Sequence, residues 1–204
     1  MSTFLIAIEH LDPIAILRAG GYIGLALLVF AESGLLVGIF LPGDSLLFVA
    51  GLLSANGILS VVPLTIVVIV AAILGDSVGY WFGAKAGDTL FTRDDSRFFK
   101  KEYVTRTENF YRTYGGRAIV LARFAPIVRT IAPILAGIGS MKYRTFLSYN
   151  ILGGTAWGAG MISLGFFLGS ILPSSEKYIL PFSLVIIVLS FLPIIVNLIR
   201  SNRT

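Results

Sequence analysis

Four charged residues stand inside apolar sequence: Glu32, Asp44, Arg123 and Arg129. A charge at the centre of a bilayer costs about 2.5–3.5 kcal/mol on insertion scales, so such residues normally face a bundle interior or a wet cavity and find partners there. Their chemistry divides. Arginine stays protonated and offers a planar fork of donors that fits phosphate. Arg123 and Arg129, six residues apart around Pro126, are therefore expected to bind an anionic head group, helped by the partial positive charge of broken-helix N-termini. Glu32 is suited to carrying a proton, because an apolar pocket disfavours the charged carboxylate. Asp44 follows Pro42-Gly43, where gating and helix capping are equal readings. Asp76 lies in Leu74-Gly75-Asp76-Ser77-Val78-Gly79-Tyr80 and is expected to face the interior, in a proton-coupling role or in polar contact with Tyr80, Thr155 or Trp157. Two acids on one hairpin and two arginines on another would pair. Buried salt bridges that only fix hairpin docking would use the same residues.

Composition narrows the solvent. Apolar residues are 56% of the 204 and mean hydropathy is +0.88, while charged residues are only 13%, about half the usual share of a soluble domain. There is no Cys, and His10 is the single His. Thiol chemistry and a His metal cluster within one chain are excluded, and no metal or cofactor is expected. The net charge of +5 does not imply nucleic acid, because the basic residues sit in loops between apolar spans, as the positive-inside bias expects.

The elements that must position these charges follow from apolar length. Residues 61–83, 145–172 and 179–199 reach the roughly 20 residues a helix needs to cross a bilayer. Two other stretches are interrupted. Residues 22–56 contain Glu32, Gly34, Gly38 and Leu41-Pro42-Gly43-Asp44; residues 117–141 contain Arg123, Pro126, Arg129 and Pro133. Proline removes a donor and clashes with the preceding turn. The limbs left over are too short to cross, so both stretches are expected to be re-entrant hairpins, with residues 22–41 crossing as the alternative for the first. Such backbone persists at membrane depth only when it packs in protein or lines a cavity. With 117–141 re-entrant, the loop 84–116, Lys142, Arg144 and the C-terminus share one side, expected to be cytoplasmic. Residues 1–20 show no cleaved signal and read as an interfacial helix or a tail. In the loop 84–116, Phe99, Tyr103, Phe110 and Tyr114 recur at helical spacing beside Lys100, Lys101, Arg106 and Arg112. This suits a basic amphipathic helix lying on anionic lipid or packed on its own protein.

The chain repeats itself. Glu32 precedes Pro42 by ten residues, as Arg123 precedes Pro133, and Ile73–Gly79 parallels Ile151–Trp157. Each half is thus a broken segment followed by a Gly-rich span: repeat 1 over 21–83, repeat 2 over 117–172. With the topology above the two run in opposite directions, the inverted repeat of many transporters. The expected fold is an all-α polytopic membrane protein of two such repeats plus a C-terminal transmembrane helix. Pro42, Gly43, Gly75, Gly79, Pro126, Pro133 and Gly137 are expected to shape the hairpins and their packing, Gly75, Gly79 and Gly83 forming a ladder for close helix approach.

These motifs resemble the DedA family, whose core is also called the VTT or SNARE-associated domain. The resemblance rests on Glu32-Ser33-Gly34 leading to Leu41-Pro42-Gly43-Asp44, on Gly75-Asp76-Ser77-Val78-Gly79-Tyr80, and on Arg123-Phe124-Ala125-Pro126-Ile127-Val128-Arg129 leading to Pro133-Ile134-Leu135-Ala136-Gly137. It covers about residues 20–170. The family often has Pro-x-Pro-Gly before the acid, where this chain has Ile39-Phe40-Leu41-Pro42-Gly43. The resemblance implies two facing re-entrant hairpins, with functional acids at Glu32 and Asp44 and functional arginines at Arg123 and Arg129. It also implies the cell inner membrane and links to undecaprenyl phosphate recycling, proton-dependent envelope tolerance and, in eukaryotic relatives, lipid scrambling.

The expected function is translocation of undecaprenyl phosphate or another phosphate-bearing lipid, coupled to protons, with membrane lipids and protons as partners and no nucleic acid. A proton-coupled transporter of a small solute or cation is the alternative, and a membrane scaffold the other. No activated nucleophile or metal set is visible, so an enzyme is not expected.

Overall fold

The computed structural model describes residues 13–35, 43–92 and 101–171. All the regular structure among them is helical, in seven elements: α1 (Pro13–Gly34), α2 (Gly43–Ala55), α3 (Val61–Thr92), α4 (Lys101–Tyr114), α5 (Arg117–Ala122), α6 (Pro126–Ile138) and α7 (Tyr143–Ile171). The expectations for Pro42 and its apex, for Phe99 and Lys100, for residues 1–12 and for the helix at 179–199 fall outside the described residues.

Helix length separates the elements. Val61–Ala86 within α3 is 26 residues long and apolar, about 39 Å at ~1.5 Å per residue, enough for the roughly 30 Å of a hydrocarbon core. Helix α7, with 29 residues, passes the same test. Helices α2 and α6 have 13 residues each, about 20 Å, and α5 has six. None of these three reaches across. Helix α1 is broken at Gly21 (φ 51°, ψ −140°), a backbone region open in practice only to glycine. Val62, Ile66, Val70, Leu74, Val78 and Trp81 are exposed and recur every three or four residues, so α3 presents a continuous apolar stripe, the surface of a lipid-facing helix.

The second broken segment has a local cause. A residue before proline is pushed out of the helical region, and Ala125 is extended (φ −118°, ψ 108°) with Pro126 at the start of α6, where its missing N–H is no loss. Arg123 and Phe124 therefore stand at the break between α5 and α6. Pro133, expected to shape the hairpin and its packing, does not end a helix. It lies inside α6, which continues to Ile138. Close packing against a neighbouring helix tolerates an internal proline at membrane depth, and Pro133 lies against Gly79, whose added Cβ would be 3.5 Å from the proline Cβ.

The chain sorts into two compact units: Met1–Leu25, Pro42–Val67 and Ala159–Thr204 in one; Ala26–Leu41 and Val68–Gly158 in the other. In the first, α2 is buried on nearly all sides. A Cβ at Gly51 would strike the Ile162 carbonyl, and one at Gly165 the Phe48 carbonyl. Helices α2 and α7 thus meet backbone to backbone, the small-residue contact that packs helices where no hydrophobic gain is available from lipid. The Ser60 backbone N–H donates to the Tyr22 hydroxyl at 2.8 Å, joining the start of α3 to α1.

The second unit carries a core of Tyr80, Tyr111, Ile119, Ala122, Ala132, Ala136 and Phe146. Tyr80 stacks on Phe146 (4.7 Å between ring centres) and donates to the Met141 carbonyl. Tyr111 of α4 is buried and donates to the Ala132 carbonyl at 2.9 Å. Burial pushes its phenol up, so the donated proton stays in place. The face that packs on the protein is therefore centred on Tyr111, while Phe110 and Tyr114 remain exposed, their rings tilted against each other with centres 4.9 Å apart. The amphipathic helix docks on its own chain through one aromatic and leaves two others on the surface.

Candidate functional site

The site is built where three helices approach too closely for side chains to intervene. A Cβ on Gly34 of α1 would lie 2.6 Å from the Gly75 carbonyl, and one on Gly75 2.6 Å from the Phe30 carbonyl. That crossing puts Glu32 and Asp76 on neighbouring turns of α1 and α3. Two turns along α3, a Cβ on Gly83 would strike the Ile134 backbone, and one on Gly137 the Tyr80 carbonyl. The ladder Gly75, Gly79, Gly83 therefore seats α1 at one end and α6 at the other, and α6 carries Arg129.

Both acids meet an arginine. Arg129 forms an ion pair with Glu32, and Arg123 forms one with Asp76. All four are buried, with exposures of 1% for Glu32, 3% for Asp76, 3% for Arg123 and 9% for Arg129. Two positive and two negative charges cancel, which makes the burial tolerable. Asn150 completes one pair. Its side-chain oxygen accepts from Arg123 at 2.5 Å, and its amide donates to the Ile73 carbonyl at 3.1 Å. Arg123 also passes close to α7, because Gly154 leaves room: a Cβ there would lie 3.4 Å from the guanidinium. The Nε of Arg123 is buried with no hydrogen-bond partner, so its fork keeps one unused donor.

Trp157 joins the two pairs. Its ring centre lies 5.8 Å from the Arg123 guanidinium carbon and 4.9 Å from that of Arg129. An indole face attracts cations by about 0.5–2 kcal/mol, more when desolvated. Here it holds two like charges in one site. Leu and Phe both leave a cavity in place of Trp157, but only Phe keeps a ring face. Trp157→Leu is therefore expected to be less stable than Trp157→Phe by about 1 kcal/mol, read by thermal unfolding in detergent at neutral pH. Equal melting would remove the cation–π account.

The sequence pointed to all four buried charges, yet their pairing differs from the simplest expectation. Arg123 pairs with Asp76 of α3; the contacts considered for Asp76 with Tyr80, Thr155 or Trp157 give way to that ion pair. Thr155 is exposed. Asp44 lies half-buried in the first turn of α2, in the other unit, where an acid suits the helix N-terminus. Asn150 was not anticipated. Its signal was a lone carboxamide within the apolar run that follows Tyr149. Trp157 was anticipated only as a neighbour of Asp76.

Comparisons with known proteins identify the family. The VTT domain family model matches residues 41–167, which include Asp76, both arginines, Asn150 and Trp157. The chain is 43% identical over 184 residues to Protein DedA of Escherichia coli, spanning 89% of this chain and 84% of that one. It is 44% identical over 215 residues to an uncharacterized membrane protein of Mycobacterium tuberculosis, spanning 100% and 92%. It is 33% identical over 148 residues to the inner membrane protein YqjA of Escherichia coli, spanning 72% and 67%. No solved structure matches it.

Proposed function

Because this chain belongs to the DedA family of VTT-domain membrane proteins, we propose that it translocates a phosphate-bearing lipid, undecaprenyl phosphate or one of like chemistry, across the cell inner membrane. The observation that carries this reading is the pair of buried guanidiniums, each neutralised by a carboxylate and both resting on Trp157. A carboxylate is a counter-ion that a proton can discharge, and arginine is not. Protonation of Glu32 or Asp76 would release the facing arginine to a lipid phosphate, which fits the same fork of donors. Loss of the proton would restore the ion pair and expel the phosphate. Proton and lipid would then move in one exchange cycle, with Arg123 and Arg129 binding, Glu32 and Asp76 coupling, and Asp44 capping or gating in the other unit.

Two further features support a transporter plan. Gly75 packs on α1 beside Glu32, and Gly153 packs on α5 beside Arg123, a Cβ there lying 3.2 Å from the Val120 Cα. Parallel sequence runs thus make parallel contacts, as two inverted repeats would. The short α2, α5 and α6 suit re-entrant segments. The clustered basic residues favour a cytoplasmic placement of 84–116 and the C-terminus, and the relative named an inner membrane protein supports that membrane.

The test uses proteoliposomes holding a fluorescent polyprenyl phosphate and a membrane-impermeant quencher. The protein is expected to expose the inner-leaflet lipid to quencher, faster under an imposed pH gradient. Arg129→Ala is expected to slow this at least tenfold, the weight of one charge-assisted contact. Flipping of the wild type no faster than protein-free vesicles would overturn the proposal, as would an Arg129→Ala rate equal to wild type.

A further inference from the structure

A cavity of about 830 Å³ opens between α4, α5 and α6, within the roughly 300–1,000 Å³ of small-molecule pockets. None of Glu32, Asp76, Arg123 or Arg129 lines it, so it is separate from the ion-paired centre and does not rest on the exchange described above.

Its walls are mostly apolar, with Leu121, Ala122, Val128 and Leu135 among them, and among the described residues Arg117 is its one charged lining residue. Leu121 and Val128 are exposed at 71% and 52%, so the cavity opens onto an apolar surface. In a membrane protein that surface meets acyl chains. Arg117 is also exposed and stands at the start of α5. A mostly apolar cavity with one guanidinium in its described lining is complementary to an amphiphile with one apolar chain end and one anionic group.

We propose that this cavity holds a single anionic phospholipid, its acyl chain between α4 and α6 and its phosphate on Arg117. Selection must come from the head group. Moving a chain from bilayer to an apolar wall gains little, since lipid tails are as apolar as the wall. The guanidinium fork supplies the discrimination, because it binds phosphate through paired donors. The lipid would stand as a wedge behind α6, the helix that carries Arg129.

The test is native mass spectrometry of the full-length protein in detergent, titrated with dioleoyl phosphatidylglycerol or with dioleoylglycerol, which has the same chains and no phosphate. Wild type is expected to retain one phosphatidylglycerol at least tenfold more tightly than dioleoylglycerol. Arg117→Gln is expected to bring the two lipids level, and Arg117→Lys to restore part of the preference. Val128→Trp, a filling change at an exposed position, is expected to weaken retention of both. Thermal unfolding of each variant without lipid shows that it is folded. No preference in wild type, a preference surviving in Arg117→Gln, or retention unchanged in Val128→Trp would each overturn the site. Dimers lost in Val128→Trp without any lipid preference would mean that a second copy of the chain covers this face instead, which also overturns it.

Discussion

Deleting either half of the Glu32–Arg129 pair is expected to cost about 3–5 kcal/mol, the usual penalty for stranding a buried charge, but the two deletions are expected to differ in their response to pH. Glu32→Ala leaves Arg129 beside Trp157 with only Asp76, already paired to Arg123, to balance it. Arginine cannot shed its proton at any accessible pH, so the penalty should stay constant from acid to alkaline conditions. Arg129→Ala leaves Glu32, which escapes by taking up a proton. A buried, protonated glutamate costs little at acid pH, and the penalty grows as pH rises above about 4.3, where the unfolded chain ionises. The Arg129→Ala protein is therefore expected to be more stable than Glu32→Ala at pH 4.5 and to lose that advantage towards pH 8. The double variant Glu32→Ala with Arg129→Ala strands no charge and is expected to recover most of the loss, because a buried pair contributes little net stability against apolar replacements. Thermal unfolding in detergent at several pH values reads all three. Parallel pH profiles for the two single variants would mean that the stranded group finds water or another partner, and that the site is wetter than its burial implies.

The same comparison separates transport from scaffolding. A structural pair, once replaced by two alanines, leaves a folded and functional protein. A working pair leaves a folded protein that no longer flips lipid. The double variant is expected to melt near wild type and to be inactive in the proteoliposome assay. Active double variants would assign the pair to docking alone.

Much of this centre was legible in the sequence because charges in apolar runs are expensive and therefore informative. Glu32, Arg123 and Arg129 announced themselves that way, and Pro126 announced the break that puts Arg123 at a helix end. The partners were harder to read. Spacing along the chain places Glu32 and Asp44 on one segment, but pairing depends on which helices touch. The glycine ladder decides that contact, by bringing α3 within backbone reach of both α1 and α6. Asp76 stands next to Gly75 in that ladder, and for this reason it comes within reach of Arg123. Pro133 takes part in the packing without ending its helix for a related reason. A proline N–H deficit ends a helix in water, but a helix packed against Gly79 at membrane depth can carry it. Asn150 and Trp157 were obscured because neither residue type is costly enough in an apolar helix to stand out by itself.

The ladder also yields the second large prediction, a contrast between two glycines one turn apart. Valine at Gly75 would put its Cβ 2.6 Å from the Phe30 carbonyl and 3.0 Å from the Ser33 Cβ. The obstruction is mainly backbone, so no side-chain rotation relieves it, and α1 must move away from α3. Overpacking of this kind costs typically 1–3 kcal/mol and occasionally more, and here the displaced segment carries Glu32. Gly75→Val is therefore expected to lower thermal stability by at least about 2 kcal/mol and to abolish lipid flipping even in the molecules that remain folded. Gly79 is in the same helix and the same motif, but a Cβ there would meet Pro133, the Gly34 carbonyl and Ile134 at 3.5–3.6 Å, ordinary contact distances. Alanine at Gly79 removes backbone entropy from the unfolded chain and strengthens the helix, worth about 0.5–1 kcal/mol. Gly79→Ala is expected to melt at or slightly above the wild-type temperature and to keep its activity. A glycine motif read from sequence alone treats the two positions alike, whereas the contacts make one an obligatory gap and the other a vacancy. If Gly75→Val and Gly79→Ala were equally tolerated, the backbone crossing of α1 and α3 would be looser than described. The carboxylates would then owe their placement to the arginines, and the ion pairs would draw the helices together instead of being positioned by them.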